Sequence, residues 1–327
     1  MKRWLVPVAA WWALSCTGER PDPVEAGSAS TDSAAVQPFV EDDLGRKVPL
    51  TPFRRRVISL VPSMTETLVA MGAVDLLVGR TDFDVSPMLK NFPSVGGGLA
   101  PNLEILTRLH PDLVVVWAKG RMTGEVPRME AHGATVYAMR VESTEDFRRH
   151  ARKIGKLIGR ATAADSLVRA VDEELELVAA AVRSSARPEV LYVIWPDPLT
   201  TTGGGTFIDS LIATAGGRNV FSDLPRSWPV VSLEEVVFRN PSVVILPDHH
   251  GGREAGWRFL AILSEARVIE VDGNLFSRPG PRMGLAARRL SEALHPEVWG
   301  MRGRTPPFRR PVKEKPRRSA FPEGTSK

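Results

Sequence analysis

Two glutamates in matched surroundings are the first residues whose placement suggests chemistry. Glu104 follows Asn102-Leu103 and Glu234 follows Ser232-Leu233, 130 positions later. Asn and Ser are helix-capping residues, so each carboxylate falls in the first turn of a helix, where the dipole favours negative charge. Each glutamate either stabilises its own helix or presents one of two matched charges to a partner. A second group is aromatic. Phe83, Trp117, Trp195 and Trp228 fall at expected strand ends or in loops, where they either pack in a core or at its rim or line a ligand pocket. Trp228, between Ser227 and Pro229, is the hardest of these to account for as core. Asp248-His249-His250 follow an apolar run and offer ligand contacts or metal ligands. No histidine in the first half stands at an equivalent strand end, so a dedicated zinc or manganese receptor, and any bound metal, is not expected. Arg278 and Arg282 flank Pro279-Gly280-Pro281, where they bind an anionic ligand group or brace the helix that follows.

Catalysis lacks its usual constellations. Gly203-Gly204-Gly205 precedes a helix but has neither the Gly-x-Gly-x-x-Gly spacing with an acid about 20 residues on nor a Gly-Lys-Ser/Thr. No Gly-x-Ser-x-Gly elbow or His-Glu-x-x-His is present either. The sequence reads as a binding protein with no cofactor. An exported α/β enzyme such as an oxidoreductase is the rival from another class, and the missing phosphate fingerprint counts against it.

These residues need elements to hold them. The 327 residues are 43% apolar, enough for two domains with cores of their own. The formal charge of +5 comes from the ends, with Lys2 and Arg3 at one and Arg302 to Arg318 at the other. A near-neutral body between them argues against nucleic acid as a partner. Residues 1–15, with a positive start and a short apolar run, read as a signal peptide too short to span a bilayer. Cys16, the only cysteine, ends that run after Ser15 and resembles the lipidated cysteine of a bacterial lipobox. The alternative is a plain secretory signal with an incidental cysteine. Residues 16–38, rich in Pro, Ser, Ala and Gly, read as a flexible tether, and residues 301–327 as a basic disordered tail.

Between the ends, strands and helices alternate over 39–140 and again over 187–300, the pattern of α/β lobes with mostly parallel sheets. Strands are expected at Val57–Leu60, Leu76–Gly79, Leu113–Trp117, Thr135–Met139, Val190–Trp195, Val243–Leu246 and Val268–Val271. A helix is expected over Trp257–Leu263. Residues 141–186 carry apolar or small side chains at steps of three and four, the period of a helix. Ser143-Thr144-Glu145-Asp146 caps its start, and Thr162 to Asp165 suggests a second capped start, giving one helix to about Ile158 and another over Ala163–Val182. The second is about 30 Å long, enough to join two lobes.

The lobes echo each other without a gap. The helix opened by Leu103-Glu104 ends at His110-Pro111 before Leu113-Val114-Val115-Val116, and the helix opened by Leu233-Glu234 ends at Asn240-Pro241 before Val243-Val244-Ile245-Leu246. Two Rossmann-like lobes joined by a rigid long helix enclose a cleft, a preferred place for a ligand.

From Arg56 to Pro296 the chain resembles the helical-backbone class of periplasmic binding proteins, closest to its cobalamin-binding branch. The resemblance rests on Arg56 to Ser63 with Thr65-Glu66, Pro101 to Glu104, His110 to Val114, Ser227 to Glu234, and Arg278 to Arg282. It implies the solute-binding protein of an ABC importer, exported to the periplasm or cell surface and anchored through a lipid on Cys16. It implies a monomer that captures a cobalamin-like corrinoid and hands it to permease subunits, with Glu104 and Glu234 docking on permease arginines, one per lobe. Phe83 stands where cobalamin binders carry a pocket tyrosine. Near Gly98, where some carry a tryptophan, there are only glycines, which keeps a ferric siderophore or haem open as the ligand.

Overall fold

The computed structural model describes residues 38–120, 122–248, 263 and 265–300. The expected signal peptide, Cys16, most of the tether, His249, His250, all but the last residue of the helix expected over Trp257–Leu263, and the basic tail lie outside them.

The first lobe holds a parallel sheet of β3 (Val57–Ser59), β4 (Leu113–Trp117) and β5 (Thr135–Met139), in that order. A hairpin of β1 (Phe39–Glu41) and β2 (Lys47–Pro49) precedes it, tied to the sheet by Asp42, whose Oδ2 accepts the amide of Ala138. The strand expected at Leu76–Gly79 is a tight helical turn over Val74–Leu76 followed by a single parallel bridge from Leu77 to Val57. The second lobe holds β6 (Glu189–Pro196), β7 (Leu199–Thr201), β8 (Arg218–Asn219), β9 (Val243–Pro247) and β10 (Arg267–Val271). Strands β8, β6, β9 and β10 run parallel, and β7 folds back antiparallel on β6. Leu77, β3, β4 and β5 in the first lobe thus match β8, β6, β9 and β10 in the second.

The equivalence extends to backbone detail. Helix α1 (Pro62–Ala70) enters through a proline whose fixed φ suits a first turn. Helix α2 (Leu103–Arg108) is capped by Asn102, whose side chain accepts the Ile105 amide. Helix α3 (Met122–Ala131) lies between β4 and β5. In the connector, α4 (Thr144–Leu157) carries the expected capping box between Ser143 and Asp146. The second start is different: α5 (Ala161–Ala181) begins at Arg160 with no side-chain cap, and Asp165 pairs instead with Arg152 of α4 at 3.1 Å. Gly155 lets the two helices cross, because a Cβ there would lie 2.5 Å from that of Ala164. The break falls at Gly159, in the left-handed region at φ 71°.

The second lobe adds α6 (Phe207–Thr214), α7 (Leu233–Arg239), α8 (Gly273–Phe276) and α9 (Met283–Leu294). Ser232 caps α7 as Asn102 caps α2. Both helices then stop on a left-handed residue, His110 at φ 45° and Asn240 at φ 48°, immediately before proline. His and Asn tolerate that conformation better than most side chains, and a following proline cannot extend the helix.

One continuous core links the lobes. Val57 and Leu113 of the first sheet, Ile154 and Val168 of the connector, and Val190 and Ile208 of the second lobe belong to a single buried cluster. The outer face of each sheet has a smaller core of its own. A connector packed into both lobes makes a stiff joint rather than a loose hinge.

Candidate functional site

The loops after the carboxyl ends of the parallel strands in the two lobes meet. Ser227 donates to a Glu142 carboxylate oxygen at 3.1 Å, and the Phe207 amide donates to the Glu142 carbonyl at 2.7 Å. The Arg278 guanidinium donates to the Phe83 carbonyl at 3.1 Å. In α/β sheets, ligands bind beyond the carboxyl ends of the strands, so the candidate site is built from these loops.

In the first lobe, β3 leads into Leu60, whose carbonyl is covered by Gly98. A Cβ on Gly98 would sit 2.3 Å from that oxygen, so only glycine permits the approach. Phe83 lies over the neighbouring Gly97 and is 56% exposed. It is carried by a turn in which the Asp84 Oδ2 accepts the Thr81 amide at 2.7 Å and its hydroxyl at 2.9 Å. Burial pushes the Asp84 carboxyl above the usual range, against the lowering effect of those bonds. The glycine run is thus a bed for an aromatic ring and a strand end.

The second lobe solves the same problem with a long loop. Residues 222–231 lie across the Thr-Gly turn: a Cβ on Gly203 would be 2.0 Å from the Arg226 carbonyl, and one on Gly204 2.2 Å from that of Ser222. This close seating accounts for the glycines that raised the question of a phosphate loop. Trp228, at the crest of the loop, is half-buried against the main core. Trp195, at the end of β6, is 47% exposed. Trp117, at the end of β4, packs between two cores and turns less of itself outward. Asp248 follows β9, and its Oδ1 accepts the Gly273 amide at 2.9 Å, which fixes the start of α8.

The strongest polar feature at the boundary is a clamp. Glu66 of α1 accepts from Arg278 at 2.9 Å and from both Nε and Nη2 of Arg282 at 2.9 and 2.8 Å. Arg278 also donates to Asn274 Oδ1 at 2.7 Å. The turn between the arginines comes close to α1, with a Cβ on Gly280 3.3 Å from the Ser63 carbonyl. Sequence reasoning placed the arginines but missed their partner. Two guanidinium groups one turn apart signal a carboxylate; nothing in the chain order says that it stands 212 residues upstream.

Glu104 and Glu234 both project into solvent from first turns, with the same pattern of exposure along 101–106 and 231–236. They differ in company. Arg108 donates to Glu104 at 2.6 Å, with both side chains more than 70% exposed. Among the described residues Glu234 makes no ion pair. Hydrogen bonds from its own amide and from Ser232 hold its carboxyl below the usual range, so it is ionised at neutral pH.

Comparison with known proteins fits this geometry. Residues 57–261, more than half of the chain, match the periplasmic binding protein family. The vitamin B12-binding protein of Photorhabdus laumondii is 27% identical over 244 residues, covering 73% of this chain and 88% of that protein. The periplasmic heme-binding protein RhuT from Roseiflexus sp. RS-1, in apo form, superposes with a TM-score of 0.66 at 24% identity, over 75% of this chain and 99% of that one. The periplasmic vitamin B12 binding protein BtuF of Vibrio cholerae gives 0.62 at 23% identity, over 76% and 99%. These relatives are solute-binding proteins and not enzymes. Two parallel-sheet lobes facing each other across a stiff connector, with a family match running through both, establish that the chain belongs to the periplasmic binding protein family, as the exported solute-binding component of an ABC importer that works with permease subunits.

Proposed function

We propose that the ligand is a corrinoid, cobalamin or a close precursor, held between Phe83 of the first lobe and Trp195 and Trp228 of the second. The observation that carries this reading is the presence of aromatic side chains on both sides of the lobe boundary, in a chain whose curated relatives include vitamin B12-binding proteins. A corrin is broad, flat and largely apolar with amide fringes, so aromatic faces supply contact area and a few polar groups set orientation. Trp117 supports the wall, and Asp248, with His249 and His250 next in sequence, supplies polar contacts. Arg278, committed to Glu66, holds the lobes in place rather than the ligand. Glu104 and Glu234 face the permease and dock on its cations, and lipidation of Cys16 keeps the monomer near that membrane.

Calorimetric titration of the purified protein with cobalamin, cobinamide, haem and a ferric hydroxamate tests the ligand. Heat with a corrinoid at one site per chain is expected; heat with haem or the siderophore alone would reassign it.

A further inference from the structure

The outward face of α7 is not like that of its counterpart. Glu234, Val237 and Phe238 stand at i, i+3 and i+4 and so share one helix face. Val237 is 48% exposed and Phe238 85%, the largest exposure of any bulky apolar side chain among the described residues. The inner face is already satisfied by buried Val236 and half-buried Leu233, so packing does not require a ring at 238. The matching face of α2 is Glu104, Thr107 and Arg108, entirely polar. Arg239, the cation nearest in sequence to Glu234, is held by Asp223 at 2.6 Å and Glu235 at 2.7 Å. Among the described residues, the second lobe therefore offers a carboxylate without an ion pair and an apolar knob beside it.

In the first lobe, a cavity of about 300 Å³ is lined by Leu103, Glu104, Thr107, Arg128, Met129 and His132. The first lobe thus has a hollow beside Glu104, and the second an exposed ring beside Glu234.

We propose that Phe238 is the hydrophobic anchor of the second lobe on the permease, which must present an apolar pocket next to the cation that receives Glu234. This rests on the reading that Glu104 and Glu234 mark the permease-facing surface. Interface energy concentrates in aromatic anchors ringed by polar groups, while charge sets encounter and orientation.

The test uses the whole chain and its importer in nanodiscs, with dissociation constants measured for Phe238→Ala, Phe238→Leu, Phe238→Asp and Glu234→Lys. Loss of at least about tenfold is expected with Phe238→Ala, more with Phe238→Asp, and recovery of most of it with Phe238→Leu. Melting temperature and ligand titration should stay at the parental values. Parental docking by Phe238→Asp alongside failure of Glu234→Lys would overturn the anchor and leave the docking surface standing. Parental docking by both would overturn the docking surface as well. A parental dimer that Phe238→Asp splits would assign the ring to self-association, and unfolding of Phe238→Ala would assign it to the fold; either result overturns the proposal.

Discussion

The two lobes use one backbone plan and finish it differently. Caps at Asn102 and Ser232, left-handed stops at His110 and Asn240, and buried Leu106 and Val236 sit at equivalent places. Those positions are set by backbone hydrogen bonding and core packing, which both copies must satisfy. Where nothing in the fold constrains the side chain, the copies part. The first lobe lays Phe83 on a glycine bed, and the second raises Trp228 on a long loop over Gly203 and Gly204. Arg108 answers Glu104, whereas the place after Glu234 holds Phe238. The two copies share a scaffold, and they differ in the side chains they set on it at these loops and helix faces.

The largest effect is expected where the lobes are joined rather than where they differ. Replacing Glu66 by Ala leaves Arg278, with its side chain only 13% exposed, without its carboxylate and removes three hydrogen bonds. A loss of about 3 kcal/mol is expected in urea unfolding. Small-angle scattering should report a more open particle. Parental stability with a parental radius would mean that the connector alone holds the lobes, and that the clamp is incidental.

Next come the two glycine beds. Gly98→Ala and Gly203→Ala each drive a methyl into a backbone carbonyl, at a cost of about 2 kcal/mol if the neighbour cannot yield. The neighbours differ. Gly98 presses on the end of β3, in the sheet, while Gly203 presses on a loop outside the sheet, held by the bonds from the Gly203 amide to the Ser227 carbonyl and from the Gly204 amide to the Leu224 carbonyl. Gly98→Ala should therefore lose more stability, and Gly203→Ala, by displacing Trp228, should lose more ligand affinity. Denaturant midpoints and ligand titration on the same two proteins decide this; identical profiles would dissolve the distinction between a sheet-borne and a loop-borne wall.

Trimming the walls themselves is the third comparison. Trp228→Ala should weaken corrinoid binding by about tenfold or somewhat more, equivalent to about 1.4 kcal/mol or above. Phe83→Ala, which removes a smaller ring, should cost less. Equal losses would mean that both lobes grip the ligand alike. Unfolding of the Trp228 variant with affinity retained at low temperature would make that ring core and not wall.

Much of this organisation was legible in the chain. Periodicity located β3, β4, β5, β6, β9 and the connector helices, and the gapless match around Leu103 and Leu233 revealed two similar lobes before any contact was known. Elements that depend on partners were not legible. The β1–β2 hairpin is stabilised by Asp42 reaching Ala138, 96 residues away. Leu77 contributes one bridge instead of a strand. Thr162 and Asp165 have the composition of a capping box, yet α5 starts two residues earlier because Gly159 turns the chain and Asp165 is taken by Arg152. The site divides the same way. Aromatic candidates at strand ends are visible as residue types, whereas the Glu66 clamp and the glycine beds exist only once distant backbones approach.

The smallest expected effect bears most directly on the contrast between the lobes. Glu104 and Arg108 form an i,i+4 pair at 2.6 Å with both side chains more than 70% exposed. Water screens such a pair, so its removal should change stability by no more than about 0.5 kcal/mol. Arg108→Ala should therefore melt with the parental protein and bind ligand as tightly. Docking should respond differently. With its intramolecular partner gone, Glu104 no longer has to break one ion pair before making another, so the affinity of the first lobe for a permease cation should rise a few-fold. That gain should be largest at low ionic strength, where surface charges are least screened. A parallel Phe238→Arg variant would give the second lobe the same internal neutralisation, and it should dock more weakly than Phe238→Ala at low salt, because the new cation both competes for Glu234 and repels the permease's own. If Arg108→Ala instead weakens docking, Arg108 is itself a contact to a permease acid, and the first lobe engages through a charge pair of both signs rather than through Glu104 alone.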